Sequence, residues 1–382
     1  MSDSFERAPA PLASWLAMPM ETAARIAIER VRRAADVVRV AVMPDVHLAT
    51  DVCVGTAMAT RRLLYPSAVG GDIGCGMLAC ALDGPADLLN NPRNAGALLR
   101  SLGERIPIHR RHRSKALSYP AALDPDELSH PALRAVAADQ ARLQLGTLGG
   151  GNHFVELQSE ASGRLWVMIH SGSRILGQEV KSHHLARATI RSASMLALDA
   201  DTADGAAYLH DQNWTREFAE ANRTAILREV ANIFREEFKV DLLESERIAC
   251  DHNHVRREDH FGQSVLVHRK GAMPADAGLP GVIPGSMGTL SVHVEGRGCP
   301  ESLRSSAHGA GRLLSRRAAR DRFVKADLRR QMEGIWFDPR LIDSLREESP
   351  KSYKDVRAVL RAQADLVSVT RTLHPLLVYK GS

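Results

Sequence analysis

The 382-residue sequence predicts an α+β fold in one large mixed domain, and three observations carry that expectation. Strand-like apolar runs and amphipathic helical stretches are mixed along the whole chain. No fixed-period repeat, low-complexity linker or composition break divides it, so residues 1–382 are expected to form a single domain around one cleft. Its long glycine-rich loops exceed what connectors need and point to a functional role.

The elements follow in order. Residues 20–35, METAARIAIERVRRAA, place Ala24, Ile28, Val31 and Ala35 on one helical face. Val37–Met43 reads as a strand that stops at Pro44, with Asp45 and His47 just beyond its end. The stretch GGDIGCGM (70–77) then sets an acid, Asp72, and a thiol, Cys75, among glycines. Glycine permits close approach to the main chain at a cost in conformational entropy. A metal, a phosphate or a tight turn would each fit there.

RIPIHRRHRSK (105–115) is the densest basic run. Residues 131–144 look helical and end at LGTLGGGNHFVEL (145–157). Leu165–Ile169 is a short buried strand emptying into His170, and 213–249 is mostly amphipathic helix with Phe218, Ile226 and Val230 among its apolar positions. DHNHVRRED (251–259) precedes the strand SVLVHRKGA (264–272), which is expected to release His268 at its end. A glycine-proline segment (278–298), SSAHGAGR (305–312), arginine-rich helices and SYKD…LHPLLVYKGS close the chain.

Composition sets the outer bounds. Apolar residues at 44% and charged residues at 25% match an ordinary soluble globular protein. A formal charge of +5 permits a nucleic-acid or phosphate partner without demanding one. Five cysteines without a CxxC pair argue against a disulfide framework or zinc knuckle, and for a reducing, cytoplasmic setting. The opening MSDSFERAPAPLASW has no secretory pattern, and no apolar run reaches the ~18 residues of a membrane span.

Asp72, Cys75, His153, His170 and His268 together make a candidate metal site, because loops at strand ends are where scaffolds present functional groups. A thiolate favours zinc, iron or another transition ion, while carboxylate and imidazole also suit manganese. Five ligands exceed what a four-coordinate structural ion needs, so either some only support the others or two ions are held; spacing does not say which. A lone histidine among sixteen is more often a surface or hydrogen-bonding residue. The loops GTLGGGN, PGSMGT and HGAGR offer N–H groups to an anion but match neither the phosphate-loop nor the dinucleotide motif.

Taken together, PDVHLA, GGDIGCGM, GGGNHFVE, HSGSR, DHNHV, HRKGA, IPGSMGT, SSAHGAGR and SYKD strongly resemble the RtcB family of RNA-splicing ligases, from about residue 37 to the terminal VYKG. The resemblance implies a single α+β domain with a central metal- and nucleotide-binding cleft. It implies a ligase that uses GTP and two manganese ions to join an RNA 3′-phosphate or 2′,3′-cyclic phosphate end to a 5′-hydroxyl end. Carried onto this chain, Cys75 would bridge the ions, Asp72, His170 and His268 would hold one of them, and His153 the other. His308 would be guanylylated. Asn152, Glu156, Ser286, Tyr353 and Lys380 would line the GTP site with His308, and Arg110, Arg111, His112 and Arg113 are candidates for gripping the RNA backbone.

The sequence departs from the family at HLATDVCVGTAMAT, and in the forty residues between His268 and His308. Both departures resemble a shorter branch associated with a release-factor-like protein, and bear on which broken RNA is the substrate. Two other readings of the same residues are a metal-dependent phosphoesterase and a catalytically silent RNA-end-binding protein.

Overall fold

Two large sheets that share one core, Met43, Ala57 and Val267 of one packing with Ile283, Val292 and Val294 of the other, organise the computed structural model, which describes residues 8–381. Residues 1–7, within the stretch read for a secretory signal, and Ser382 lie outside the described residues. A five-stranded sheet has the order Leu12–Ser14, Val37–His47, Val54–Thr60, Gln263–Lys270, Asn253–His260. Its first pair is parallel and the rest antiparallel. A seven-stranded antiparallel sheet has the order Leu242–Asp251, Gly76–Pro85, Arg164–Ser171, Phe154–Glu160, Val367–Lys380, Ser291–Gly296, Pro280–Ile283.

The seven-stranded sheet curls until its first and last strands meet, with Cys250 against Val282. Met77, Ala79, Trp166, Met168, Val282 and Leu373 fill the concave side. On its outer face lie the helices Pro92–Arg105 and Ala203–Phe238, through residues such as Leu98, Leu102, Ile226, Val230 and Phe234. The class is α+β, as the sequence predicts. No helix among the described residues is long and apolar enough to cross a membrane.

The early helix forms over Thr22–Arg32 and buries Ala24, Ala27, Ile28 and Val31. The strand after it does not stop at Pro44 but runs to His47. Its register with Val54–Thr60 shifts between Val42, opposite Thr56, and His47, opposite Val54. Pro44 therefore sits in a bulge, where no ladder N–H is required of it.

The expected helix over 213–249 is also corrected. It starts earlier, at Ala203, where the Thr202 side chain caps Gly205 N–H, and ends at Phe238 with Lys239 in the left-handed region. Leu242–Asp251 is a strand instead, paired with Gly76–Pro85. DHNHVRRED does precede the strand Gln263–Lys270, but Asn253–His260 is itself a strand, paired antiparallel with it.

Candidate metal and nucleotide site

Register explains why residues far apart in sequence converge. Across five neighbouring strands of the larger sheet, Asp251 lies opposite Gly76, Gly76 opposite Ser171, His170 opposite Phe154, and Phe154 opposite Lys380. Cys75, His170, His153 and His252 thus stand at one end of that sheet, each on or beside a row residue. His252 also marks the crossing into the five-stranded sheet, which resumes at Asn253. Its N–H donates to the Cys75 carbonyl at 2.9 Å.

The side chains form a chain of close contacts. Asp72 Oδ2 is 3.0 Å from His153 Nε2. Cys75 Sγ is 3.5 Å from His153 Nε2 and 3.2 Å from His170 Nε2. His170 Nε2 is 3.2 Å from His252 Nε2, and the His252 and His308 rings are 4.4 Å apart. Donor atoms of Cys75, His153 and His170 all lie within 4.8 Å of one another. Gly172 is required beside Asp72, since a Cβ there would fall 2.0 Å from Oδ1.

This donor set fits a cation. His170 Nδ1–H donates to the Asn152 carbonyl at 3.1 Å, and His252 Nδ1–H to Asn253 Oδ1 at 3.2 Å. Both Nε2 atoms then carry lone pairs, and these face each other and the Cys75 sulfur. A cation turns that mutual repulsion into coordination, with the Nδ1 bonds fixing ring orientation.

The electrostatics agree. Burial, then the neighbouring histidines, hold His170 well below the ordinary imidazole range, and burial and His308 do the same to His252. Both rings are neutral and able to coordinate. Burial and the Asp72 carboxylate push the Cys75 thiol well up, an effect a coordinated metal reverses. Burial works to raise the Asp72 carboxyl, but the His153 bond and charge prevail and hold it at about 2.

His268, one of the expected ligands, is not in this group. It lies within its strand, opposite Met58 and Val255, and is fully buried. Nδ1–H donates to Leu266 O at 3.2 Å and Nε2 accepts Tyr65 N–H at 3.0 Å, so neither nitrogen is left for a metal. His252 takes the place assigned to it. Asp72 is also regrouped, since it pairs with His153 while His170 pairs with His252.

Beside the ligands, His308 Nδ1 lies 2.6 Å from Oδ2 of the fully buried Asp45. The same oxygen accepts the His308 N–H at 3.2 Å. Gly311, with φ +75°, allows this approach, because a Cβ there would lie 2.2 Å from the Asp45 carbonyl oxygen.

Asp72, Cys75, His170, His252 and His308 open on a cleft of about 650 Å³, whose walls also carry Asn152, Glu156, Ser286, Tyr353 and Lys380. Deep in it, Glu348 accepts Arg312 Nη1 at 3.1 Å and Arg316 Nε at 3.0 Å, bonds the Tyr353 hydroxyl, and sits 3.6 Å from Lys380 Nζ. Burial lifts Glu156 to about 8 against the opposing Gln158 bond and Lys380 charge. Asn152 is exposed and Ser286 is half-buried.

Arg110, Arg111, His112 and Arg113 surround a separate hollow of about 340 Å³. Arg110 and Arg113 are exposed, and Arg113 meets Asp139 at 2.9 Å. Arg111 instead caps the carbonyls of Arg105, Leu145 and Gly146 and is committed to holding the loop.

Sequence reasoning missed His252, Asp45 and Glu348 as site residues. The first two lie in motifs already singled out, DHNHV and PDVHLA; Glu348 has no local signal.

Comparison with known proteins agrees with this geometry. The family described as "tRNA-splicing ligase RtcB" matches residues 27–381. "RNA-splicing ligase RtcB" of Escherichia coli (strain K12) is 34% identical over 403 residues, covering 97% of this chain and 98% of its own. "RNA-splicing ligase RtcB1" of a second Escherichia coli strain, ATCC 25922, is 33% identical over 414 residues, with the same coverage. "tRNA-splicing ligase RtcB" of Thermococcus kodakarensis is 33% identical over 307 residues, covering 68% of this chain and 63% of its own.

Proposed function

This chain belongs to the RtcB family, and from that premise we propose that it is a GTP- and manganese-dependent RNA ligase. Its substrates are RNA ends bearing a 3′-phosphate or 2′,3′-cyclic phosphate and ends bearing a 5′-hydroxyl. The reading treats residues 1–382 as one domain working in the cytoplasm, in keeping with five unpaired cysteines. The observation that carries it is His308 held by buried Asp45 in the same cleft as the ligand cluster.

Cys75 stands between two pairs of ligands, Asp72 with His153 and His170 with His252, and would be shared by two manganese ions. Bound there, manganese supplies charge neutralisation at phosphoryl oxygens.

The protein's own groups do the rest. Asp45 accepts a hydrogen bond from His308 Nδ1–H and so fixes the tautomer whose Nε2 is a nucleophile. Nε2 attacks the α-phosphorus of GTP, the bond to the pyrophosphate oxygen breaks, and GMP is left on His308. GMP then passes to the RNA 3′-phosphate, giving a mixed anhydride. The 5′-hydroxyl attacks that phosphate, a phosphodiester forms, and GMP leaves. Glu348, Tyr353 and Lys380 shape the base end of the cleft, where the paired charges offer both donor and acceptor to a guanine edge. Asn152, Glu156 and Ser286 line its approach.

The test is incubation with labelled GTP and Mn²⁺, followed by joining of defined RNA ends. The parent should carry an acid-labile label and His308→Ala none, with metal content unchanged. Equal labelling of both removes His308 as nucleophile. Turnover of RNA ends without GTP or adduct would favour the phosphoesterase.

A further inference from the structure

The helix Ala203–Phe238 passes behind the ligand loops, and two consecutive residues on it reach three of them. Asn222 Oδ1 accepts the N–H groups of Gly146 at 2.7 Å and Thr147 at 3.1 Å. Its Nδ2 donates to Thr147 O at 3.1 Å, Ser171 Oγ at 2.9 Å and Gly172 O at 3.3 Å. Arg223 Nη1 donates to Gly74 O at 2.7 Å and Ser171 O at 2.9 Å. Both side chains are buried.

The carbonyls they hold are not arbitrary ones. Gly74 precedes Cys75, Ser171 follows His170, and Gly146–Thr147 starts the loop that ends in His153. Gly74, at φ +70°, also lies so close to the helix that a Cβ would fall 2.8 Å from Arg216 Cα and 3.1 Å from Ala219 Cβ. Three ligand-bearing segments are therefore referenced to one rigid element, although no bond runs from Asn222 or Arg223 to a ligand side chain.

We propose that Asn222 and Arg223 are positioning residues for the metal centre, setting the separation of Cys75, His153 and His170 by clamping the backbone next to Cys75 and His170 and the start of the loop that carries His153. This rests on the metal reading of the cleft given above. Metal ligands tolerate only a few tenths of an ångström of misplacement, and residues that orient ligands without touching the ion typically change affinity 10- to 100-fold when lost. A merely structural pair would lower stability and leave the binding constant alone.

The experiment uses Mn²⁺ alone, titrated calorimetrically into the full chain, with Co²⁺ as a second probe whose thiolate charge-transfer band reports the contact with Cys75. Arg223→Met and Asn222→Asp should each bind Mn²⁺ about 10- to 100-fold more weakly, with a displaced or lost Co²⁺ band and a native far-ultraviolet spectrum. Arg223→Lys, which keeps a donor and the charge, should fall between them and the parent. Should Arg223→Met fail to fold, the near-isosteric Asn222→Asp carries the same test. Parental Mn²⁺ affinity in a folded Arg223→Met or Asn222→Asp, beside a lowered melting temperature, overturns the proposal. A parent that binds no Mn²⁺ removes the metal centre itself, and the clamp with it.

Discussion

His308 and Asp45, 263 positions apart in the chain, meet through one carboxylate oxygen that accepts both the ring N–H and the backbone N–H of the histidine. A fully buried acid so placed fixes the ring's rotation and its proton at once. Asp45→Asn keeps the volume but offers an amide in place of an acceptor pair. Guanylylation of His308 should then slow by on the order of 10²-fold or more, at unchanged manganese content. Single-turnover labelling with GTP checks this, and an unaltered rate would release Asp45 from the role.

The two histidines exchanged between expectation and structure give opposite forecasts. His252→Ala should lose manganese, read by elemental analysis. His268→Ala should keep it but lose roughly 1–3 kcal/mol of stability, because the buried ring and its bonds with Tyr65 N–H and Leu266 O are removed. If His268→Ala empties the centre instead, the regrouping is wrong.

Glu156 predicts a pH effect of definite sign. Its carboxyl stands at about 8 in the folded chain, raised from an ordinary 4.5. The folded state therefore holds the proton more tightly than the unfolded one, so the contribution is complete below about 4.5 and is lost as pH rises through about 8. Glu156→Gln should gain stability relative to the parent between pH 5 and 9, by up to several kcal/mol. Urea denaturation across that range measures it; parallel curves for the two proteins would refute it.

The basic hollow separates binding from folding. Arg110→Ala with Arg113→Ala should weaken RNA binding, flatten its salt dependence by about one to two contacts, and barely alter stability. Arg111→Ala should act the other way, costing roughly 1–3 kcal/mol through the carbonyls it caps. Filter binding over a salt series and thermal denaturation tell the two apart.

Much of the centre was legible in the sequence because glycine loops and strand ends announce themselves. Asp72, Cys75, His153 and His170 lie where such signals converge, and the structure brings all of them together. His268 misled because an apolar run ending in His-Arg-Lys looks like a strand releasing its histidine. The strand in fact continues to Lys270, held between the neighbouring strand Asn253–His260 and the distant Val54–Thr60, and neither pairing is visible in the run itself. His252 was hidden for the converse reason, since a one-residue passage between two sheets has no local pattern. Pro44 illustrates a third limit: a bulge depends on the neighbouring strand, which sequence periodicity does not describe.

The convergence of strand ends at the cleft also governs the order of folding. Contacts such as Asp45 with His308, Asp72 with Asn253 and His153 with Lys380 close loops of 263, 181 and 227 residues, and loop-closure entropy must be met before such contacts give anything back. The cleft is accordingly a late product of the folding reaction, with local helices and hairpins forming first. On the proposed metal reading, manganese supplied to a refolding chain would meet no assembled ligand set until the rate-limiting step is past, and should act by slowing unfolding rather than by hastening the search.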